Sequence, residues 1–196
     1  MNKELARIKE LNNRLDKVMY FTALLTREMD KYGIIPVIVG GGALEFYTQG
    51  SYMTLDIDLV VPGRDKAKSV LEEMGFRRAT GEKSWYNDEL ELSVEIPGDT
   101  LAGSMERIVA VEVEKDLTAF VIGVEDLIID RLNAYKWWNS LSDGQWAVAA
   151  MYIHYDNVDF KYLNKRAEEE AISDVVKETI GKTKKLKAEK NKKIDR

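Results

Sequence analysis

The sequence predicts an α/β fold of the α+β kind: a mixed sheet flanked by helices, followed by a C-terminal helical cap. Helix-spaced apolar residues open the chain, short β-branched runs and turn residues fill its middle, and beyond about Gly123 only helical periodicity remains. This divides the chain into a core over 1–122, including its N-terminal helix, and a helical region over 123–196 packed on that core. A basic tail begins at about Lys182.

The elements follow in order. Leu5, Ile8, Leu11, Leu15, Val18 and Met19 recur at helical spacing, and the pattern runs on to about Met29, predicting one long amphipathic helix closed by Gly33. Ile34 to Val39 is a short β-branched strand. Gly40, Gly41 and Gly42 turn the chain into a helix over Ala43 to Thr48. Thr54 to Val61 is a second strand, stopped by Pro62 and Gly63, and Asp65 to Met74 is a helix. Strands are expected over Phe76 to Ala79, Lys83 to Tyr86, Leu90 to Ile96, Ile108 to Val113 and Leu117 to Ile122, with a hairpin turn at Asn87 and Asp88. Helices are expected over Glu125 to Trp138, Gln145 to Ile153, Phe160 to Glu169 and Ile172 to Ile180.

Composition narrows the chemistry. With 45% hydrophobic and 32% charged residues, the chain carries enough apolar material for a core and enough charge for a solvated surface. It has no cysteine and one histidine, so thiolate nucleophiles, cysteine-based clusters and multi-histidine sites are excluded. A metal would be held by carboxylates and carbonyls, which favours hard cations such as magnesium, calcium or manganese. The charged start at Met1 to Glu4 carries no secretory pattern, and no stretch is apolar enough to span a bilayer, so the expectation is a cytoplasmic protein with no membrane partner. Net charge is −5, although Lys182 to Arg196 is strongly basic. That tail reads as a frayed helix end or disordered segment, with an electrostatic hook for RNA as its functional alternative.

The segment richest in chemistry is Val37 to Glu45 followed by Thr54 to Val61. Side chains alternate along a strand, so Asp56 and Asp58 share one face while Ile57 and Leu59 take the other. Two carboxylates at that spacing repel each other unless a cation joins them. A strand that ends in glycines and opens into a helix leaves backbone N–H groups free, and these attract phosphate.

Gly40-Gly41-Gly42, the short helix and Asp56-Ile57-Asp58 together resemble the DNA polymerase β-like nucleotidyltransferase superfamily, most closely its minimal members and the AbiEii-like toxin branch. The motif covers about Val37 to Val61. The resemblance implies a nucleotidyltransferase core that uses magnesium or manganese and a nucleoside triphosphate. Asp56 and Asp58 would hold metal, and Gly40, Gly41 and Gly42 would cradle phosphate. Many relatives carry serine after the first glycine, where this chain has Gly41, so phosphate would rest on backbone N–H groups. The resemblance also implies a third carboxylate on a later strand, acting as metal ligand and base. Glu91, Ser93 and Glu95 are expected to share one strand face; Glu95 is the choice and Glu91 the runner-up. Arg131, on the apolar stripe of the helix after Gly123-Val124-Glu125-Asp126, matches a basic phosphate-binding position of relatives, with a structural ion pair as its alternative. Lys136 is a weaker candidate.

The expected activity is transfer of a nucleoside monophosphate to a hydroxyl on RNA, protein or a small molecule. The alternative is a catalytically degenerate binding module, for instance a toxin–antitoxin component with an antitoxin or a second copy as partner. A calcium site at the acidic pair ranks last.

Overall fold

A computed structural model describes residues 2–78 and 83–194. The chain forms two compact units, Met1–Ile122 and Gly123–Arg196.

The first unit is built on a seven-stranded mixed sheet. Its helices are α1 (Asn2–Ile8), α2 (Arg14–Asp30), α3 (Gly40–Tyr47) and α4 (Arg64–Glu73). Its strands are β1 (Val37–Ile38), β2 (Asp56–Val60), β3 (Arg77–Arg78), β4 (Ser84–Asn87), β5 (Leu92–Gly98), β6 (Val109–Glu114) and β7 (Leu117–Val121). The strand order is β3-β4-β5-β2-β1-β7-β6. β2 therefore lies centrally, antiparallel to β1 and parallel to β5. Such a strand must bury at least one face, and Ile57, Leu59 and Val60 are buried.

α2 packs on β7 and α4. Its inner face carries Phe21, Leu24, Leu25 and Met29, all nearly inaccessible to water. Phe21 meets Phe76 with ring centroids 4.9 Å apart, and Trp85 of β4 is also buried. Burying side chains of this size contributes roughly 1.5–3 kcal/mol each.

The expected single N-terminal helix is two helices. The chain leaves helical geometry after Ile8, and Asn13 starts α2 by accepting the Leu15 N–H at 2.8 Å. An asparagine side chain competes for backbone N–H groups in this way, and the apolar periodicity runs across the break without recording it. The glycines also differ from expectation: they do not precede α3 but form its first turn. Part of the strand expected over Phe76 to Ala79 is seen as β3; Ala79 lies outside the described residues.

The second unit is helical: α5 (Val124–Trp138), α6 (Leu141–His154), α7 (Phe160–Glu169) and α8 (Ser173–Ile194). α5 packs against α6, α7 and α8. Ser140 caps α6 by accepting the Asp143 N–H, and Asp159 caps α7 by accepting from Lys161 and Tyr162. α8 carries the lysine-rich stretch in helical form to Ile194, where a helix end or a disordered segment was expected; residues 195–196 lie outside the described residues. Lys187 explains part of this order, since it pairs with Asp156 at 2.9 Å and lies over the Tyr155 ring. No described helix is long and apolar enough to cross a membrane.

Candidate active site

Three adjacent strands and one helix start converge around β2. β1 runs into α3 at Gly40, which adopts a left-handed φ of 53°. That turn brings the first turn of α3 against the middle of β2. The Val39 N–H donates to the Asp58 carbonyl at 2.9 Å, and the Gly41 N–H donates to Asp58 Oδ2 at 2.9 Å. Asp58 thus stands where a carboxylate is favoured, at the positive end of a helix whose first N–H groups lack intrahelical acceptors.

The glycines are needed for this approach. A Cβ at Gly40 would lie 2.4 Å from Asp58 Oδ2, and one at Gly41 would lie 2.9 Å from Thr54 Oγ1. At Gly42, a Cβ would meet Ile38 Cγ2 at 3.0 Å. Gly40 must also supply a backbone conformation that other residues adopt only at a cost.

Alternation places the carboxylates. Along β2, Asp56 and Asp58 are half-buried while Ile57 and Leu59 are buried; along β5, Ser93 and Glu95 are half-buried while Leu92, Val94 and Ile96 are buried. The parallel register sets Asp56 beside Ser93 and Asp58 beside Glu95. The β2–β5 face therefore presents Asp56, Asp58 and Glu95 as neighbours. Asp56 and Glu95 have no side-chain partner among the described residues.

Glu91 is not on that face. The expectation that it shares a strand face with Ser93 and Glu95 fails because β5 begins at Leu92. Glu91 occupies a turn with a left-handed φ of 55°, and its exposed side chain pairs with Lys17 at 3.9 Å. The turn is built by Asn87, whose side chain accepts the Leu90 N–H and donates to the Met74 carbonyl.

Arg131 lies in the second unit. Its Nε donates to Asp130 at 3.0 Å and its Nη1 to Asp143 at 2.9 Å, so α5 and α6 are joined through its guanidinium. Lys136 pairs with Asp174 at 2.6 Å. Both expected phosphate-binding cations are thus engaged by carboxylates of their own unit.

Among the described residues, no three or more His, Cys, Asp or Glu side chains form a group that could hold a metal ion. The donor set of the β2 face nonetheless suits magnesium. That ion keeps several waters and takes one or two carboxylates together with substrate phosphates, rather than an all-protein cage. An all-oxygen pair beside free helix N–H groups is such a set.

Comparison with known proteins makes this a nucleotidyltransferase-type chain, with a fold consistent with the polymerase β-like superfamily. The chain belongs to DUF6036, described as a nucleotidyltransferase of unknown function, whose pattern matches residues 13–195. Among solved structures it is similar to an antigenic nucleotidyltransferase-like protein from Paracoccidioides brasiliensis. That match has a TM-score of 0.64 and 13% identity, covering 90% of this chain and 92% of that one. It is also similar to ANT(2″)-Ia, solved in complex with adenylyl-2″-tobramycin. Here the TM-score is 0.52 with 12% identity, covering 77% of this chain and 94% of that one. At these identities the likeness concerns the fold. No curated protein matches the chain in sequence.

Proposed function

We propose that this protein is a metal-dependent nucleotidyltransferase that moves a nucleoside monophosphate from a nucleoside triphosphate to a hydroxyl acceptor. The observation that carries this reading is the meeting of Asp58 with the first turn of α3, with Asp56 on the same face of β2. Carboxylates that attract a cation and N–H groups that attract phosphate are brought together there.

Asp56 and Asp58 would hold magnesium or manganese, which when bound would neutralise triphosphate charge and polarise the phosphate under attack. The first-turn N–H groups of α3, at Gly40, Gly41 and Gly42, would orient the triphosphate. Glu95, beside Asp58 in register, would take the proton of the acceptor hydroxyl. The hydroxyl oxygen forms a bond to the α-phosphorus as the bond to the pyrophosphate oxygen breaks; the proton passes to Glu95 and pyrophosphate leaves. Binding would shift Asp58 from the Gly41 N–H towards the cation.

The commitment of Asp58 to Gly41 also suits a second reading, a nucleotide-binding module that has lost transfer. Thermal unfolding of wild type and Asp56→Asn/Asp58→Asn, with magnesium and each nucleoside triphosphate separately and together, tests the site. At a hundred times its dissociation constant the ligand stabilises by about 2.7 kcal/mol, a shift of several degrees. We expect that shift in wild type only with metal and nucleotide together, and not in the variant. A wild type indifferent to every nucleotide contradicts the site. A wild type that binds but releases no pyrophosphate with RNA, protein or small-molecule acceptors selects the second reading.

A further inference from the structure

Thr54 stands on the bare Cα of Gly41. A Cβ placed on that glycine would be 2.9 Å from Thr54 Oγ1, 3.0 Å from its Cβ and 3.4 Å from its Cγ2, so the hydroxyl is the nearest part of the side chain. Gly41 in turn donates to Asp58. The hydroxyl, the first turn of α3 and the carboxylate pair therefore form one continuous cluster.

Three features set this hydroxyl apart. It is half-buried and has no hydrogen bond among the described residues, although a threonine hydroxyl offers one donor and two acceptor positions. The nearby Thr48 shows the ordinary fate of such a group: its Oγ1 donates to the Leu44 carbonyl at 2.7 Å and accepts from the Tyr52 N–H at 3.1 Å. The residues flanking Thr54 cannot replace it, because Met53 and Leu55 are apolar and exposed by 77% and 87%. Packing on a glycine would need only the methyl group. It gives no reason for the hydroxyl to take the nearer position unsatisfied.

Resting on the nucleotidyltransferase reading, we propose that Thr54 is a triphosphate-binding residue. Its hydroxyl donates to a phosphate oxygen held at the first turn of α3, and position 41 is glycine because Thr54 occupies the space of its side chain. The pairing is reciprocal: a side chain at 41 would displace the hydroxyl at 54. Hydrogen bonds to charged phosphate oxygens are among the stronger ones, so loss of this donor should be plainly measurable.

The test measures affinity for magnesium tripolyphosphate and for the magnesium complex of the nucleoside triphosphate that binds best. Wild type, Thr54→Val and Thr54→Ser are compared, with unfolding without ligand as the check on folding. Valine keeps the shape and removes the hydroxyl; serine keeps the hydroxyl. We expect Thr54→Val to bind both ligands roughly ten- to a hundredfold more weakly. Thr54→Ser should stay within about threefold of wild type, and both variants should melt as wild type does without ligand. Gly41→Ala should weaken binding, and Gly41→Ala/Thr54→Gly should not recover it, because the hydroxyl is absent. Thr54→Val binding tripolyphosphate as wild type does would overturn the assignment while leaving the triphosphate site standing. A wild type that binds neither ligand would overturn the site and Thr54 with it.

Discussion

In the second unit Asp126 is fully buried, accepts hydrogen bonds from the Tyr162 hydroxyl at 2.9 and 3.0 Å, and takes the Arg166 Nε at 3.1 Å. In the first unit Asp56 and Glu95 lie half-buried on neighbouring strands with no side-chain partner among the described residues. Both regions place carboxylates where desolvation is costly. Arg166 goes on to Glu169 and Glu170, and Arg131 joins Asp130 to Asp143, so these carboxylates are neutralised within the helical unit. On the β2–β5 face the Gly41 N–H meets Asp58, while nothing among the described residues pairs with Asp56 or Glu95. On the proposed reading, charge that serves folding is matched within the chain, whereas charge that would serve chemistry is left for a ligand.

The largest effect should come from breaking the matched region. Arg166→Met takes the guanidinium away from buried Asp126, and removing one member of a buried pair costs about 3–5 kcal/mol. Urea unfolding should show that loss. An unchanged midpoint would mean that the network contributes nothing to folding.

Gly40→Ala sharpens the contrast from the other side. It forces a side chain into a left-handed backbone and to within 2.4 Å of Asp58 Oδ2. The backbone contribution alone is about 1–2 kcal/mol. Melting temperature should fall, and the shift produced by magnesium with nucleotide should vanish, because Asp58 must move. Loss of stability with the full ligand shift retained would separate this contact from binding.

The smallest effect tests whether ordinary ion pairs in the first unit behave as the matched region does. Glu4 takes two hydrogen bonds from Arg27, at 2.7 and 2.9 Å, and that contact is the largest of the causes that together lower its carboxyl pKa from 4.5 to about 2. A folded-state pKa below the unfolded one contributes stability above about pH 4.5, lost as pH falls towards 2. Hydrogen exchange in α1 should therefore accelerate over that range, and Arg27→Met should flatten the dependence. Equal acid profiles in the two proteins would remove the pair from the account.

How far the sequence reaches differs from place to place. β2 is legible because its polar and apolar residues alternate from Asp56 to Leu59 and its position in mid-sheet preserves that alternation as burial. The beginning of β5 is not: Leu90 to Glu95 alternates equally well, but Asn87 hydrogen-bonds the Leu90 N–H and holds Glu91 in a turn. The break between α1 and α2 is hidden for a similar reason, since a side-chain cap at Asn13 decides it while the apolar spacing continues. For Arg131 the spacing points towards the interior of its unit but cannot name Asp143, twelve residues on, as its partner. The contact of Thr54 with Gly41 depends on the tertiary approach of the chain before β2 to α3 and leaves no periodic signal. Period and composition carry elements and faces; side-chain contacts with backbone, and pairs between elements, need the fold.

The central claim is that Asp56 and Asp58 hold the metal that accompanies the nucleotide. Its most direct test is electron paramagnetic resonance of manganese titrated into wild type and Asp56→Asn/Asp58→Asn, with and without nucleoside triphosphate. Asparagine keeps an acceptor for the Gly41 N–H, so the variant should fold. The account predicts that wild type with nucleotide removes manganese from the free-ion signal beyond what nucleotide alone removes, and that the variant does not. Equal manganese binding by the two proteins would contradict it.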